Sequence, residues 1–224
     1  MWLERCAMSL KARAESGEGE TIMARSIFLF AQWFIARRRT WLRILTWITR
    51  FGYWLFIIYG LVDWFRPRPL AEQIKHRKTL VYCLFSVIIG SSFSWIIGKI
   101  WHRPRPFACG DAAPLVPHKA NASFPSNHSM NSLAISLMLL ARRDWWGLPA
   151  LCWTGVLAAS RILSGLHYVS DVLGGFFIGA TASHIVYHSK RCSRMADHVL
   201  YYWHVAAAVE IGRASCRERV FRAV

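Results

Sequence analysis

Six apolar runs, separated by basic, polar or proline-containing stretches, set the pattern of the chain. The first, residues 26–36, has eleven positions, too few to cross a bilayer. With three arginines at 37–39 behind it, it suits an amphipathic helix lying in the membrane interface over 23–40. Residues 41–62 are long enough to cross, with Arg43 and Arg50 placed to snorkel or to face the bundle. Residues 79–98 run for twenty positions without a charge. Three further apolar runs follow at 128–141, 145–160 and 172–187, and no internal repeat is visible. The pattern predicts an all-α polytopic membrane bundle of about five or six spans, with loops over 63–78 and 99–127. The second loop is long, basic and rich in Pro and His, and loops of that length tend to be functional or disordered.

The membrane domain is expected over 41–195. Residues 1–22 are polar and mixed, and read as an N-terminal extension that is disordered or not part of the protein, with Met23 as the start. Residues 196–224 form a tail. Within it, 210–220 reads like the translated frame of a sequencing adapter and is set aside from fold reasoning; the alternative is a basic amphipathic tail.

Charge adds an orientation. The net charge is +16, which in a soluble chain suggests nucleic acid. Here the basic residues flank apolar runs in a chain that is 54% hydrophobic with 12 Trp and 13 Phe, so they read as topology signals and headgroup contacts, and no nucleic-acid partner is expected. Alternating the spans puts 99–127 and 161–170 on one side, with five Lys/Arg, and 63–78, 142–144 and 188–194 on the other, with ten. The positive-inside rule then turns the first pair of segments away from the cytoplasm, against the dissent of the arginines at 37–39. Six scattered Cys give neither a disulfide framework nor a zinc spacing.

Three stretches on that outward side carry candidate chemistry. Residues 99–107 hold Lys99, Arg103 and Arg105 between prolines that keep the backbone extended, a pattern that also fits a basic membrane-edge anchor. In the second, residues 123–128, Ser126 or Asn127 suits the N-cap of the following helix. The first-turn amides of that helix make an anion site, and His128 can give a proton to a leaving oxygen; capping alone is the plainer reading. In the third, residues 160–171, Arg161 precedes His167 by six positions and Asp171 follows it by four. A helical reading puts His167 and Asp171 one turn apart on one face. The carboxylate can then hold one ring nitrogen and leave the other as a nucleophile toward phosphorus, with Arg161 as a phosphate fork. Alone, such a His/Asp pair is more often structural. Three such clusters meeting on one membrane face are not what capping predicts, and polar residues at a membrane edge are functional by default.

These stretches resemble the type 2 phosphatidic acid phosphatase superfamily, whose signature runs Lys-x6-Arg-Pro, Pro-Ser-Gly-His and Ser-Arg-x5-His-x3-Asp. The third part is present at Ser160, Arg161, His167 and Asp171. The second reads Pro125, Ser126, Asn127, His128, with Asn for Gly. The first ends on Arg105-Pro106, but its lysine position falls on Gly98, leaving Lys99 or Arg103 to substitute. Over residues 75–187 the chain is most similar to the bacitracin-resistance type of undecaprenyl-diphosphate phosphatase. It shares Pro-Arg-Pro-Phe at 104–107, Pro117-His118 and Leu133-Ala-Ile-Ser136.

The resemblance implies hydrolysis of a lipid phosphate at a bacterial plasma membrane through a phospho-histidine. His167 would attack phosphorus, Asp171 fix its tautomer and His128 protonate the leaving oxygen. Arg105, Arg161, Ser126 and the Asn127 amide would hold the phosphoryl oxygens, with Arg103 and Lys99 as further candidates. No metal or other cofactor is expected, since a cationic cradle does the neutralising and the motifs lack a carboxylate cluster. The implied substrate is undecaprenyl diphosphate, cleaved for cell-envelope synthesis and bacitracin resistance. The alternatives are a phosphatidic acid or phosphatidylglycerophosphate phosphatase, or a catalytically dead lipid-binding or transport subunit.

Overall fold

The computed structural model describes residues 38–109, 112 and 114–210. The extension over 1–22, nearly all of the interfacial helix over 23–40 and all but the first residue of the 210–220 stretch lie outside the described residues. Among those described are seven α-helices and one short 3-10 turn, with no strand. They are α1 (Arg39–Phe51), α2 (Trp54–Phe65), α3 (Leu70–Ile100), α4 (Asn127–Ala141), α5 (Gly147–Leu163), α6 (Val169–His188) and α7 (Lys190–Glu210). The turn, Pro106–Ala108, follows Arg105.

The helix boundaries differ from the apolar runs in instructive ways. The run over 41–62 is not one helix: α1 and α2 meet at Gly52 and Tyr53 with a bend of 53°. The expected loop over 63–78 is short, because α3 begins at Leu70, directly after the prolines at 67 and 69. Proline presets the backbone for a helix start and lacks an N–H that the first turn would leave unpaired. At 31 residues α3 is about 46 Å long, more than the hydrocarbon layer needs, so its basic first turns stand beyond it. By length and hydropathy α3 and α6 are each able to cross a membrane, and the bent α1–α2 pair together makes a third such element. Helices α4 and α5 are shorter, at 15 and 17 residues. α4 needs little lipid-facing surface because α3, α5 and α6 all pack on it.

That packing is made by small residues. Gly175, Gly179 and Ser183 recur every four positions on α6, so they share one face. A Cβ on Gly175 would stand 2.7 Å from the Ser126 carbonyl oxygen, and one on Gly179 would overlap the Met130 carbonyl. Ser183 Oγ donates across the same seam to the Ala134 carbonyl at 3.1 Å. Inside a membrane, such small-residue faces let helix backbones touch and gain dispersion where lipid supplies no hydrophobic drive. On the opposite flank of α4 a serine ladder runs inward, and Ser136 meets Thr154 of α5 at 3.0 Å.

At the other end of the bundle, Asp63, His76 and Asp144 tie α2 to α3 and to the α4–α5 turn. His76 Nδ1 lies 3.2 Å from Asp63 Oδ2 and 3.4 Å from Asp144 Oδ2. Arg68 donates to Asp63 Oδ1 at 2.5 Å, Tyr59 to Asp144 Oδ2 at 3.1 Å, and the Trp146 N–H to Asp144 Oδ1 at 3.0 Å. Every carboxylate oxygen of the cluster thus has a protein donor, which is what a buried clasp requires. The boundary drawn at 195/196 falls inside α7, whose Ala196 and Leu200 are buried in the core beside Val81, Tyr82 and Met138. Those two residues stand one helical turn apart, so a single stripe docks the helix.

Gly179→Ala is expected to lower the thermal midpoint of the protein in detergent, because α4 and α6 must part to admit the methyl group, at a cost of about 1–3 kcal/mol. Gly155→Ala is the control. Its Cβ meets nothing within 4 Å, so the midpoint should hold or rise.

Candidate active site

The site is built where α5 stops and α4 and α6 start. α5 ends in a left-handed turn at Gly165, φ 72°, whose N–H reaches the Ile162 carbonyl while that of Leu166 reaches Arg161. Only glycine adopts that turn without a steric penalty, and it closes the helix. The last residue of α5, Leu163, thus stands four positions before His167, and α6 does not begin until Val169. This corrects the helical reading of the His/Asp pair: His167 lies in the connection, and Asp171 is the third residue of α6.

The correction changes who holds the imidazole. His167 Nδ1 stands 2.8 Å from the Ser123 carbonyl oxygen, which can only accept, so Nδ1 carries the proton. The gap from Nδ1 to Asp171 Oδ2 is 3.8 Å, beyond a hydrogen bond. Asp171 acts one step back. Its Oδ2 accepts the Ser123 hydroxyl at 2.5 Å and the Tyr168 N–H at 2.9 Å, and its Oδ1 accepts from Arg103 at 2.7 Å. The carboxylate pins Ser123 and the Ser123 carbonyl pins the ring. Sequence reasoning missed Ser123 because a backbone carbonyl has no residue-type signature.

The other ring nitrogen of His167 is left as a lone pair, 3.1 Å from Arg105 Nη1. Arg105 is 5% exposed and is oriented by the Leu166 carbonyl at 3.0 Å, the Asn121 side chain at 3.0 Å and the Ala122 carbonyl at 3.3 Å. Burial lowers its pKa to about 10, so it stays a cation at neutral pH. His167 is pushed down to about 4, first by burial and further by the charges of Arg105 and Arg161, with Asp171 opposing. It is neutral, and nucleophilic, at physiological pH.

Arg161 is 3% exposed, with Nη1 on the Thr49 carbonyl at 2.9 Å and its Nε without a hydrogen-bond partner. A buried donor left unpaired is costly, and an anionic oxygen would relieve it. Ser126 is the N-cap of α4, but its side chain makes no capping bond and instead meets Ser129 Oγ at 3.0 Å. The first amides of α4 therefore lack a side-chain cap, as an anion site requires. His128 follows in that first turn, close enough to Arg161 and Arg105 to feel their charges. The Asn127 side chain turns aside to Ser94 at 2.5 Å, so only its backbone serves the site.

The two candidates for the missing lysine part company. Arg103 is engaged by Asp171 and by Ser170 at 2.7 Å, and lies over the Tyr168 ring at 4.2 Å. It braces the carboxylate. Lys99 sits over Trp95 of its own helix at 5.8 Å, away from the cluster. Gly98 faces the site-forming loop, 3.7 Å from its Cβ position to Ala122. The loop over 115–123 is tied down at both ends, Leu115 N–H to Ser164 and Ser123 N–H to Arg103. It carries His118, an exposed residue whose Nδ1 lies 3.0 Å from the Lys119 carbonyl oxygen.

Asp171→Asn should lower kcat about 100-fold, with KM for the same substrate changed no more than about threefold. It loosens the Ser123 anchor behind the ring and removes about 2.7 kcal/mol of charge-assisted hydrogen bonding. Steady-state kinetics in detergent check this.

Comparison with known proteins places this geometry. The chain is 33% identical over 135 residues to undecaprenyl-diphosphatase BcrC of Bacillus subtilis (strain 168), covering 60% of this chain and 67% of that protein. It is 32% identical over 157 residues to phosphatidylglycerophosphatase B of the same organism, covering 63% and 72%. The crystal structure of the first transmembrane PAP2-type phosphatidylglycerolphosphate phosphatase from Bacillus subtilis superposes with a TM-score of 0.54. That match has 25% identity over 78% of this chain and 87% of the other. Residues 79–195, more than half of the chain and the part that carries all three motifs, match the model of the PAP2 superfamily, and to that superfamily this chain belongs.

Proposed function

We propose that the protein is a membrane phosphatase that cleaves undecaprenyl diphosphate to undecaprenyl phosphate and phosphate through a phospho-histidine on His167. One observation carries the reading: with the ring locked by the Ser123 carbonyl behind it, the Nε2 lone pair of His167 accepts from Arg105 Nη1 at 3.1 Å, a hydrogen bond that an entering phosphoryl group would replace. A phosphoryl group at that point meets its nucleophile and its charge partner together.

The lone pair attacks the terminal phosphorus in line. The bond from phosphorus to the bridging oxygen breaks, its electron pair stays on that oxygen, and His128, protonated once the substrate's negative charge offsets the neighbouring arginines, delivers its proton there. Arg105, Arg161 and the first amides of α4 hold the equatorial oxygens as charge builds. The ring, now positively charged, keeps its Nδ1–H on Ser123. Water then attacks the phosphorus, His128 takes the proton, and phosphate leaves with His167 restored. The terminal phosphoryl sits on the outward loops while the isoprenoid tail lies among the apolar helices. This agrees with the excess of basic residues on the other side. On this reading the enzyme works at the outer face of a bacterial plasma membrane, supporting envelope synthesis and bacitracin resistance.

The similarity to undecaprenyl-diphosphatase BcrC favours the diphosphate. The match to phosphatidylglycerophosphatase B, in sequence and in a solved relative, favours a glycerophospholipid phosphate as the second reading. Phosphate release from undecaprenyl diphosphate, phosphatidylglycerophosphate and phosphatidic acid, by purified protein in detergent with EDTA, separates them. The diphosphate should be turned over fastest, in the presence of the chelator; preference for either glycerophospholipid would overturn the substrate while keeping the mechanism.

Rapid quench with a 32P-labelled diphosphate should trap an acid-labile, base-stable label that His167→Ala lacks. Labelling should persist from neutral pH to about 5 and fade toward about 4, where the ring gains a proton and loses its lone pair. A midpoint near the ordinary histidine value would contradict the buried, cation-flanked ring.

A further inference from the structure

The two histidines of the site are held in different ways. His167 has a partner on each ring nitrogen, the Ser123 carbonyl on one and Arg105 on the other. Among the described residues, His128 has no hydrogen bond on either nitrogen and its neighbour is a ring, that of Tyr53, with centroids 5.6 Å apart and planes at 75°. An imidazole with two free torsions and no hydrogen bond takes its direction from packing. Proton delivery needs that direction, because the N–H must point along the line to the departing oxygen. The edge-to-face arrangement is the favoured geometry for two rings.

Tyr53 comes to His128 through the break between α1 and α2. A continuous helix spends its carbonyls internally, and breaking it frees them. Here the freed groups are turned toward α5: the Thr49 carbonyl accepts from Arg161 Nη1 at 2.9 Å, and the Gly52 carbonyl from Trp153 Nε1 at 2.9 Å. Gly52 lies so close to α5 that a Cβ there would stand 3.1 Å from Leu157 and 3.3 Å from Trp153. The break is thus docked on the helix that ends in Arg161, and it presents Tyr53 to the start of α4. All of these contacts from α1 and α2 lie before residue 79, where the family match begins.

We propose that Tyr53 is a positioning residue for His128, its ring, packed edge-to-face with the imidazole, setting the direction in which His128 delivers a proton to the leaving oxygen. The inference rests on the reading of His128 as that proton donor. It assigns the bent N-terminal pair a part in the chemistry beyond membrane anchoring: Thr49 holds the phosphate-facing Arg161 and Tyr53 aims the acid.

The test compares two leaving groups in the full chain purified in detergent. Phosphatidic acid releases an alkoxide oxygen that needs a proton; p-nitrophenyl phosphate releases a phenolate that does not. The readout is the ratio of kcat/KM on the first to kcat/KM on the second, which reports the departure of the leaving group and not the hydrolysis of the phospho-histidine that both substrates share. His128→Ala tests the underlying reading and should lower the ratio about 100-fold. Tyr53→Leu should lower it about tenfold, with KM for phosphatidic acid within about twofold of wild type, and Tyr53→Phe, which keeps the ring, should restore it to within about twofold. An unchanged ratio in His128→Ala overturns the proton-donor reading and the proposal with it. A lowered ratio in His128→Ala beside an unchanged one in folded Tyr53→Leu overturns the role of Tyr53 alone. Tyr53→Met takes the place of the leucine variant should that one not fold, with the same outcomes, and a tenfold fall in Tyr53→Phe would show that the ring is not what matters.

Discussion

The backbone-to-backbone contact of α4 with α6 is the constraint on which the site depends. Gly175 and Gly179 bring α6 against the carbonyls of Ser126 and Met130 with no side chain between. At the head of the same seam the Ser126 N–H donates to the Asp171 carbonyl at 3.0 Å. The first turn of α4, with His128, and the first turn of α6, with Asp171, therefore cannot move independently. A methyl group in that seam would separate the helices and, with them, His128 from Asp171. Packing and chemistry are here one requirement, which is why a helix face of small residues stands where bulkier apolar ones would suit a lipid-facing surface.

Charge is the second requirement. Arg105 and Arg161 are both almost fully buried, and the buried carboxylate of the site, Asp171, is already paired with Arg103. The remaining positive charge is met by carbonyl dipoles from Leu166, Ala122, Asn121 and Thr49, which orient the guanidiniums without neutralising them. Such a cradle is stable enough to exist in the empty protein, and on the proposed reading a phosphoryl group would complete it electrically. Burial, with the same excess of positive charge, keeps His167 unprotonated.

The opposite end of the bundle shows a contrasting use of similar groups. Asp63, His76 and Asp144 gather as closely as any catalytic set, yet Arg68, Tyr59 and the Trp146 amide satisfy their oxygens. In the phosphate cradle a buried guanidinium nitrogen remains without a partner. That difference, rather than the residue types, separates a clasp from a binding site.

Much of this protein was legible as sequence. Apolar runs marked the helices, since a bilayer imposes composition on whatever crosses it, and the three motifs named His128, Arg161, His167 and Asp171 because charged or titratable side chains at a membrane edge need a reason. Lys99 and Arg103 looked equivalent there; only folding turned one onto Trp95 and the other onto Asp171. The break at Gly52 was hidden inside a run long enough to span, because what stabilises it is contributed by Arg161 and Trp153, more than a hundred residues away. The partner of His167 was hidden too, because Ser123 serves it through a carbonyl that every residue possesses. Side-chain chemistry and hydropathy are local properties and can be read in one dimension. Which backbone group or ring edge faces which side chain is decided by the packing of distant segments, and only the tertiary structure holds that information.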